Sequence, residues 1–151
     1  WPDLLGGNSK VKQVAASLMT IEDLIVETSG DDKQQIKWSD AKKEVKFFGH
    51  CHQRALTGTS SSVNVLNMPP GFEASEILAG CCGMAGSFGY EKSHIEVATA
   101  SGEDRLFPAI REASPNTEIA TSGVSCREQI GFNTERESRH VVEVLADALL
   151  H

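Results

Sequence analysis

The stretch Gly80-Cys81-Cys82-Gly83-Met84-Ala85-Gly86-Ser87-Phe88-Gly89-Tyr90 places two adjacent thiols among four glycines. Glycine backbones can turn tightly and approach a bound group closely because they carry no Cβ. On an extended strand, adjacent cysteines would point to opposite faces, so the two sulfurs can share a partner only in a turn. The stretch therefore predicts a turn that presents two thiols to one site, with Gly83 and Gly86 beside the bound group.

The remaining thiols lie in two similar segments, His50-Cys51-His52-Gln53-Arg54 and Ser122-Gly123-Val124-Ser125-Cys126-Arg127. All three cysteine-bearing segments are polar and loop-like, so we interpret them as parts of one metal site. Thiolates bind zinc, iron–sulfur clusters and Cu(I), and four sulfurs in a tetrahedral arrangement suit zinc or an iron–sulfur centre best. The predicted ligands are Cys51, Cys81, Cys82 and Cys126.

Charged and titratable neighbours flank these thiols. His52 or His50 could be a further metal ligand, a hydrogen-bond donor to a ligand, a proton carrier, or an ordinary capping or surface histidine. Arg54 and Arg127 would lower thiolate pKa values and offset the negative charge of the site, unless they are simply solvated cations. Two disulfides would also account for four cysteines, but the adjacent pair makes that geometry awkward.

The composition indicates one globular domain. The chain has 151 residues, 40% of them hydrophobic, and a formal net charge of −7, with its 14 basic residues scattered along the sequence. Scattered cations argue against nucleic-acid binding, and no apolar run approaches the ~20 residues that span a bilayer. We expect residues 1–8 to be a linker or tail and residues 9–151 to form a cysteine-rich domain. This domain would be the C-terminal fragment of a longer chain. The expected location is cytoplasmic, with the protein either free or peripheral to a membrane.

Hydrophobic periodicity predicts alternating strands and helices. Two short helices open the chain, the second capped by Thr20-Ile21-Glu22-Asp23 with Ile21, Leu24 and Ile25 facing inward; a polar connection follows over residues 29–43. The predicted strands are residues 44–49, 73–78 and 118–121. The predicted helices between and after them are residues 60–67, residues 93–113 and a helix from residue 138 onward. Gly102 and Pro108 could split the second of these helices.

This alternation predicts an α/β fold of three layers, in which helices flank a short, mostly parallel sheet. Each predicted strand leads into one cysteine-bearing segment. Ligands of open α/β sheets bind beyond the carboxyl ends of the strands. The expected site is therefore formed by cysteine loops at that edge of the sheet.

The cysteine spacing resembles the cysteine-rich CCG domain found in heterodisulfide reductase, in the iron–sulfur subunits of glycolate oxidase and anaerobic glycerol-3-phosphate dehydrogenase, and in lactate-utilisation proteins. The segments 50–56, 80–91, 105–109 and 125–130 more closely resemble the C-terminal iron–sulfur region of large FAD-linked oxidases of the D-2-hydroxyacid and D-lactate dehydrogenase type, over roughly residues 44–149. The family pattern ends in C-x-x-C, whereas this chain has Gln129 at the second position. One thiol of the five-thiol pattern is therefore missing.

The resemblance implies part of an oxidoreductase: a [4Fe–4S] electron-transfer domain that relays electrons from a flavin to a quinone or another acceptor. FAD would belong to the parent protein, and the partners would be its flavin dehydrogenase and ferredoxin-like domains. No catalytic residue is assigned, and the fragment alone is expected to be inactive. Two alternatives stay open: a zinc-stabilised structural or docking domain without a redox role, and a thiol enzyme that uses Cys81 or Cys82 as a nucleophile with His52 as base.

Overall fold

Three short strands form one parallel sheet at the centre of the molecule. The structure, a computed structural model, describes residues 3–29 and 36–150. The strands are β1 (Lys43–Phe47), β2 (Phe72–Glu76) and β3 (Glu118–Ala120), and the sheet order β2-β1-β3 places β1 in the middle. Both pairings are parallel. The α/β fold with a short parallel sheet flanked by helices is therefore confirmed.

Eight α-helices surround and connect the strands in the described part of the chain. They are α1 (Ser9–Ala16), α2 (Ile21–Ser29), α3 (Cys51–Leu56), α4 (Ser60–Leu66), α5 (Ile95–Glu103), α6 (Leu106–Glu112), α7 (Val124–Thr134) and α8 (Val141–Ala146). Two single 3₁₀ turns, Phe88–Tyr90 and Lys92–His94, link the cysteine pair to α5. Over residues 3–29 and 36–150, none of the helices has both the length and the apolar character that crossing a membrane requires.

The two faces of the sheet carry separate hydrophobic cores. Because side chains alternate along a strand, Ile119 and Ala120 of β3 belong to opposite faces. Ile119 packs in a cluster with residues of α6 and α7, and this cluster includes both Cys82 and Cys126. Ala120 packs in the other cluster, with residues of β1, α4 and α8. The two clusters account for the three-layer arrangement, and they place Cys82 and Cys126 on the α6–α7 side.

Several predicted elements agree with the structure. Thr20 and Asp23 form the expected reciprocal cap at the start of α2, since the backbone N–H of each donates to the side-chain oxygen of the other. The helix predicted over residues 93–113 is split into α5 and α6, between Glu103 and Leu106. Pro108 is tolerated in the first turn of α6 because an N–H there has no partner within the helix.

The interpretation of all thiol segments as loops is wrong for two of the three. Cys51 is the first residue of α3, and Cys126 lies in the first turn of α7, a helix that the periodicity did not predict. The cysteine pair alone lies in a loop. The thiols still follow the strand ends, but helix starts present Cys51 and Cys126.

The predicted inward face of α2 is also largely wrong. Ile21 and Leu24 are 44% and 43% exposed, whereas Glu22 is only 4% exposed. The carboxylate of Glu22 accepts a hydrogen bond from Ser122 Oγ at 3.3 Å, which makes this burial possible. Ile25 does pack against the core. Residues 30–35 of the predicted polar connection and the first two residues of the predicted linker lie outside the described residues.

Candidate functional site

The carboxyl edge of the sheet brings the cysteine-bearing segments to one end of the molecule. Cys51 follows the last residue of β1 by four positions, Cys81 follows β2 by five, and Cys126 follows β3 by six. The three strands are parallel neighbours, so their carboxyl ends lie side by side. Such short connections keep the thiols near that edge.

Two of the four predicted ligands are in direct contact. The sulfurs of Cys82 and Cys126 lie 3.3 Å apart, although the residues are 44 positions apart in sequence. Both side chains are buried, at 4% and 2% exposure. All four cysteines are reduced. The contact brings thiols from the ends of β2 and β3 together, as the sequence predicts.

The contact polarises the two thiols in opposite directions. The Cys126 thiol donates its hydrogen bond to the Cys82 sulfur, and this bond lowers the pKa of Cys82 to about 6. The same bond raises the pKa of Cys126, and burial raises it further. The charges of Cys82, Cys51 and Cys81 in their thiolate forms also raise the pKa of Cys126, so Cys126 lies within electrostatic range of the other three thiols.

The glycine-rich turn aims backbone N–H groups at the cysteine pair. The N–H of Gly83 donates to Cys81 Sγ at 3.3 Å. A hydrogen bond from the Met84 backbone contributes to the lowered pKa of Cys82. Gly83 and Gly86 adopt φ values of +94° and +73°, which L side chains rarely take. These two glycines therefore shape the turn, and N–H donation to sulfur favours the thiolate form.

Cys51 stands apart from the contacting pair. Its side chain is exposed, and its sulfur lies 4.0 Å from Nε2 of His50. Within residues 3–29 and 36–150, no three His, Cys, Asp or Glu side chains are grouped closely enough to hold one metal ion. The full four-thiol ligand set thus stays a prediction, with Cys82 and Cys126 already together.

The two histidines beside Cys51 line one cleft, and His50 also lies near the buried thiol of Cys126. A Cβ built on Gly123 would meet the His50 ring at 2.6 Å and Cys126 Sγ at 2.9 Å, so His50 lies beside the buried thiol. Burial lowers the pKa of His50, and the charges of His52 and Arg54 lower it further. Both histidines line a cleft of about 460 Å³, together with Thr20, Glu22, Gln53, Leu56, Thr57, Ser122, Val124 and His140.

Arg54 connects the Cys51 helix to the cysteine pair, a role that the sequence did not reveal. Its guanidinium donates to the backbone carbonyls of Ala79 and Gly80, the two residues directly before Cys81. It also lies over the Phe48 ring, 5.4 Å from the centroid.

Arg127 has a similar role at the third cysteine-bearing segment, where its guanidinium donates to the backbone carbonyls of Thr121 and Ser122. Both arginines thus fix the backbone beside a thiol.

We expect Arg54→Gln to reduce the free energy of unfolding by about 1–3 kcal/mol, because two carbonyls lose a charged donor. Urea unfolding of the reduced protein, followed by circular dichroism, measures this change. Arg105→Gln is the matched control: its side chain is 70% exposed and contacts only the equally exposed Asp104 among described ion pairs, so its change should stay within about 0.5 kcal/mol. Equal effects of the two substitutions would contradict the anchoring role of Arg54.

The residues at the site suit a thiolate-bound metal centre. Zinc–sulfur bonds of about 2.3 Å in a tetrahedron put two sulfurs about 3.8 Å apart. The observed 3.3 Å between Cys82 and Cys126 therefore lies within a small side-chain adjustment of that spacing. A buried thiol pair with N–H donors nearby also matches the surroundings of iron–sulfur ligands. The donor set thus fits either group.

Comparison with known proteins shows similarity to parts of dehydrogenases. The chain is 29% identical over 106 residues to one of the subunits of anaerobic glycerol-3-phosphate dehydrogenase from Escherichia coli K12, covering 70% of this chain and 26% of that protein. It is 32% identical over 104 residues to D-2-hydroxyglutarate dehydrogenase of the same strain, covering 68% of this chain and 10% of that protein. No family model and no solved structure matches. The chain thus spans about a quarter or less of these relatives, and its similarity is to short regions of larger oxidoreductase chains.

Proposed function

We propose that this chain is the iron–sulfur electron-transfer domain of an FAD-linked 2-hydroxyacid oxidoreductase. The contact between Cys82 and Cys126 carries the proposal, because it brings thiols from two separate strand ends together in a buried position. Similarity to the anaerobic glycerol-3-phosphate dehydrogenase chain and to D-2-hydroxyglutarate dehydrogenase supports the redox context. In this proposal Cys51, Cys81, Cys82 and Cys126 hold one [4Fe–4S] cluster.

The chain's own residues would divide the work of binding. When bound, the cluster would accept and release single electrons between a flavin and an acceptor such as a quinone. The buried pair Cys82 and Cys126 would provide two thiolates shielded from water, and the exposed Cys51 would close the site from the α3 side. Backbone N–H groups of Gly83 and Met84 would stabilise negative charge on sulfur.

Two histidines have a supporting place in this proposal. His50 lies beside Cys126, and its lowered pKa keeps the ring neutral at pH 7. A neutral imidazole can bind a metal or donate one hydrogen bond to a sulfur. His50 is therefore the better candidate of the two for direct contact with a bound group, and the ring of His52 packs edge-on against it, 5.3 Å away between centroids.

A zinc-stabilised structural or docking domain is the second candidate. One observation favours it: the sulfurs of Cys82 and Cys126 lie near the spacing of zinc-bound thiolates. The flavin domain, ferredoxin-like domain and acceptor would then be irrelevant to this site. The two candidates require the same four cysteines, so only the metal distinguishes them.

Metal analysis of protein produced without oxygen tests the proposal. We expect about four iron and four sulfide per chain, with a brown colour that bleaches on exposure to air. About one zinc per chain and no colour would instead establish the structural alternative. Protein that carries neither metal after anaerobic purification, and takes up neither when iron and sulfide or zinc are supplied, would refute both candidates.

A further inference from the structure

The two contacting thiols have a second chemistry available to them. The sulfurs of Cys82 and Cys126 are 3.3 Å apart, and a disulfide bond measures about 2.05 Å. The sulfurs therefore need to approach by only about 1.2 Å, a movement within the reach of small side-chain rotations. We propose that Cys82 and Cys126 form a disulfide in the metal-free protein, and that this disulfide acts as a redox gate on loading of the metal centre.

Geometry singles out this pair among the four cysteines. Cys81 and Cys82 are adjacent, an arrangement that strains a disulfide. Cys51 is exposed at the start of α3, and its sulfur contacts the ring of His50. Cys82 and Cys126 are packed in the same hydrophobic cluster, so their sulfurs are held together by the core. This pairing joins two sulfurs that are already in contact and that belong to residues far apart in sequence, so the strain of an adjacent pair does not arise.

The reaction needs a two-electron oxidant, for which hydrogen peroxide suffices. One thiol sulfur is oxidised by the peroxide to a sulfenic acid, and water leaves with the second peroxide oxygen. The other thiol then attacks the sulfenic sulfur, the S–S bond forms, and a second water leaves. Hydrogen peroxide is close to water in size, and the two thiols retain 4% and 2% exposure.

The consequence for the metal centre depends on the proposed function. A disulfide occupies both buried sulfurs, so only Cys51 and Cys81 would remain as thiol ligands. Two thiols cannot complete a four-thiolate site. Oxidation would therefore block loading, and reduction by a dithiol would restore it. The disulfide itself forms whether or not the four-thiol assignment is correct.

The test starts with fully reduced, metal-free protein. Treatment with hydrogen peroxide, alkylation and protease digestion should give a peptide that links Cys82 to Cys126, with a loss of about 2 Da from the whole chain. Cys51→Ala and Cys81→Ala should keep this linkage, and Cys126→Ala should lose it. The wild-type peptide map requires no variant, so a poorly folded variant does not affect the outcome.

Two results would overturn the disulfide itself. One is alkylation of both Cys82 and Cys126 after peroxide treatment, and the other is a disulfide that involves Cys51 instead.

Metal uptake is the second measurement. Oxidised protein should take up less than a tenth of the iron or zinc that reduced protein binds, and treatment with dithiothreitol should restore the uptake. Unchanged uptake by protein that carries the disulfide would overturn the gate. Failure of the reduced protein to bind metal would count against the proposed function and against the gate that rests on it, whereas the disulfide would stand, because the peptide map is independent of metal.

Discussion

Gly83→Ala should reduce the free energy of unfolding by about 2–5 kcal/mol and disrupt the turn that carries the cysteine pair. Two costs add. Gly83 has φ of +94°, where an L residue is strained by about 1–2 kcal/mol. A Cβ there would also lie 1.9 Å from the backbone carbonyl oxygen of Ala98 in α5, and such crowding typically costs about 1–3 kcal/mol. Because that atom is backbone, the clash cannot be relieved by a rotamer change.

Gly86→Ala provides a matched control in the same loop. Gly86 also has a positive φ, +73°, but a Cβ there would meet nothing within 4 Å. Its substitution should therefore cost only the backbone strain, about 1–2 kcal/mol. Urea unfolding of both variants, reduced and metal-free, measures the difference. If Gly83→Ala proved no more destabilising than Gly86→Ala, the close approach of the turn to α5 would be wrong.

The placement of the cysteines after the strand ends was accessible from the sequence because topology is simple in a parallel sheet. Each strand is short and is followed within four to six residues by a cysteine. Since parallel strands end at the same edge, three separate segments could be placed at one end of the fold. The contact between Cys82 and Cys126 agrees with that inference, although the sequence did not indicate which two thiols would touch.

Helix α7 escaped prediction because half of its buried positions are polar residues. Its buried positions are Cys126, Gln129, Ile130 and Thr134, which follow helical spacing. Only one of these four is an aliphatic side chain. Burial of the others depends on local partners: Thr134, for example, donates its hydroxyl to the carbonyl of Ile130 at 2.6 Å. The spacing was a usable signal, but hydrophobicity alone could not detect it.

The orientation of α2 and the role of Arg54 depend on contacts distant in sequence. Glu22 is buried because Ser122, 100 positions away, donates to it. Arg54 reaches carbonyls 25 and 26 positions away. Local patterns contain no information on such partners. Apolar spacing therefore favoured Ile21 and Leu24 for the inward face, and Arg54 could be recognised only as a cation near Cys51.

The largest effect on binding should come from Cys82→Ser. Anaerobically produced wild-type protein should carry its metal in stoichiometric amount, whereas the variant should retain less than a tenth of it. Cys82 is the buried sulfur that joins the turn to Cys126 in α7, so its loss removes a ligand and the contact between two segments. A serine hydroxyl is a poor substitute, because the expected metals are bound by thiolate sulfur. Iron, sulfide and zinc content per chain measures the effect.

Ser87→Ala is the appropriate control for this substitution. Ser87 lies in the same glycine-rich loop with an exposed side chain, so the control should keep wild-type metal content and colour. Circular dichroism should show that Cys82→Ser remains folded, since serine is smaller than cysteine and leaves little cavity. A folded Cys82→Ser protein with full metal content would remove Cys82 from the ligand set, and the contact with Cys126 would then have a purely structural meaning. Retention of metal by Ser87→Ala together with loss by Cys82→Ser would place the bound group at the thiol pair itself.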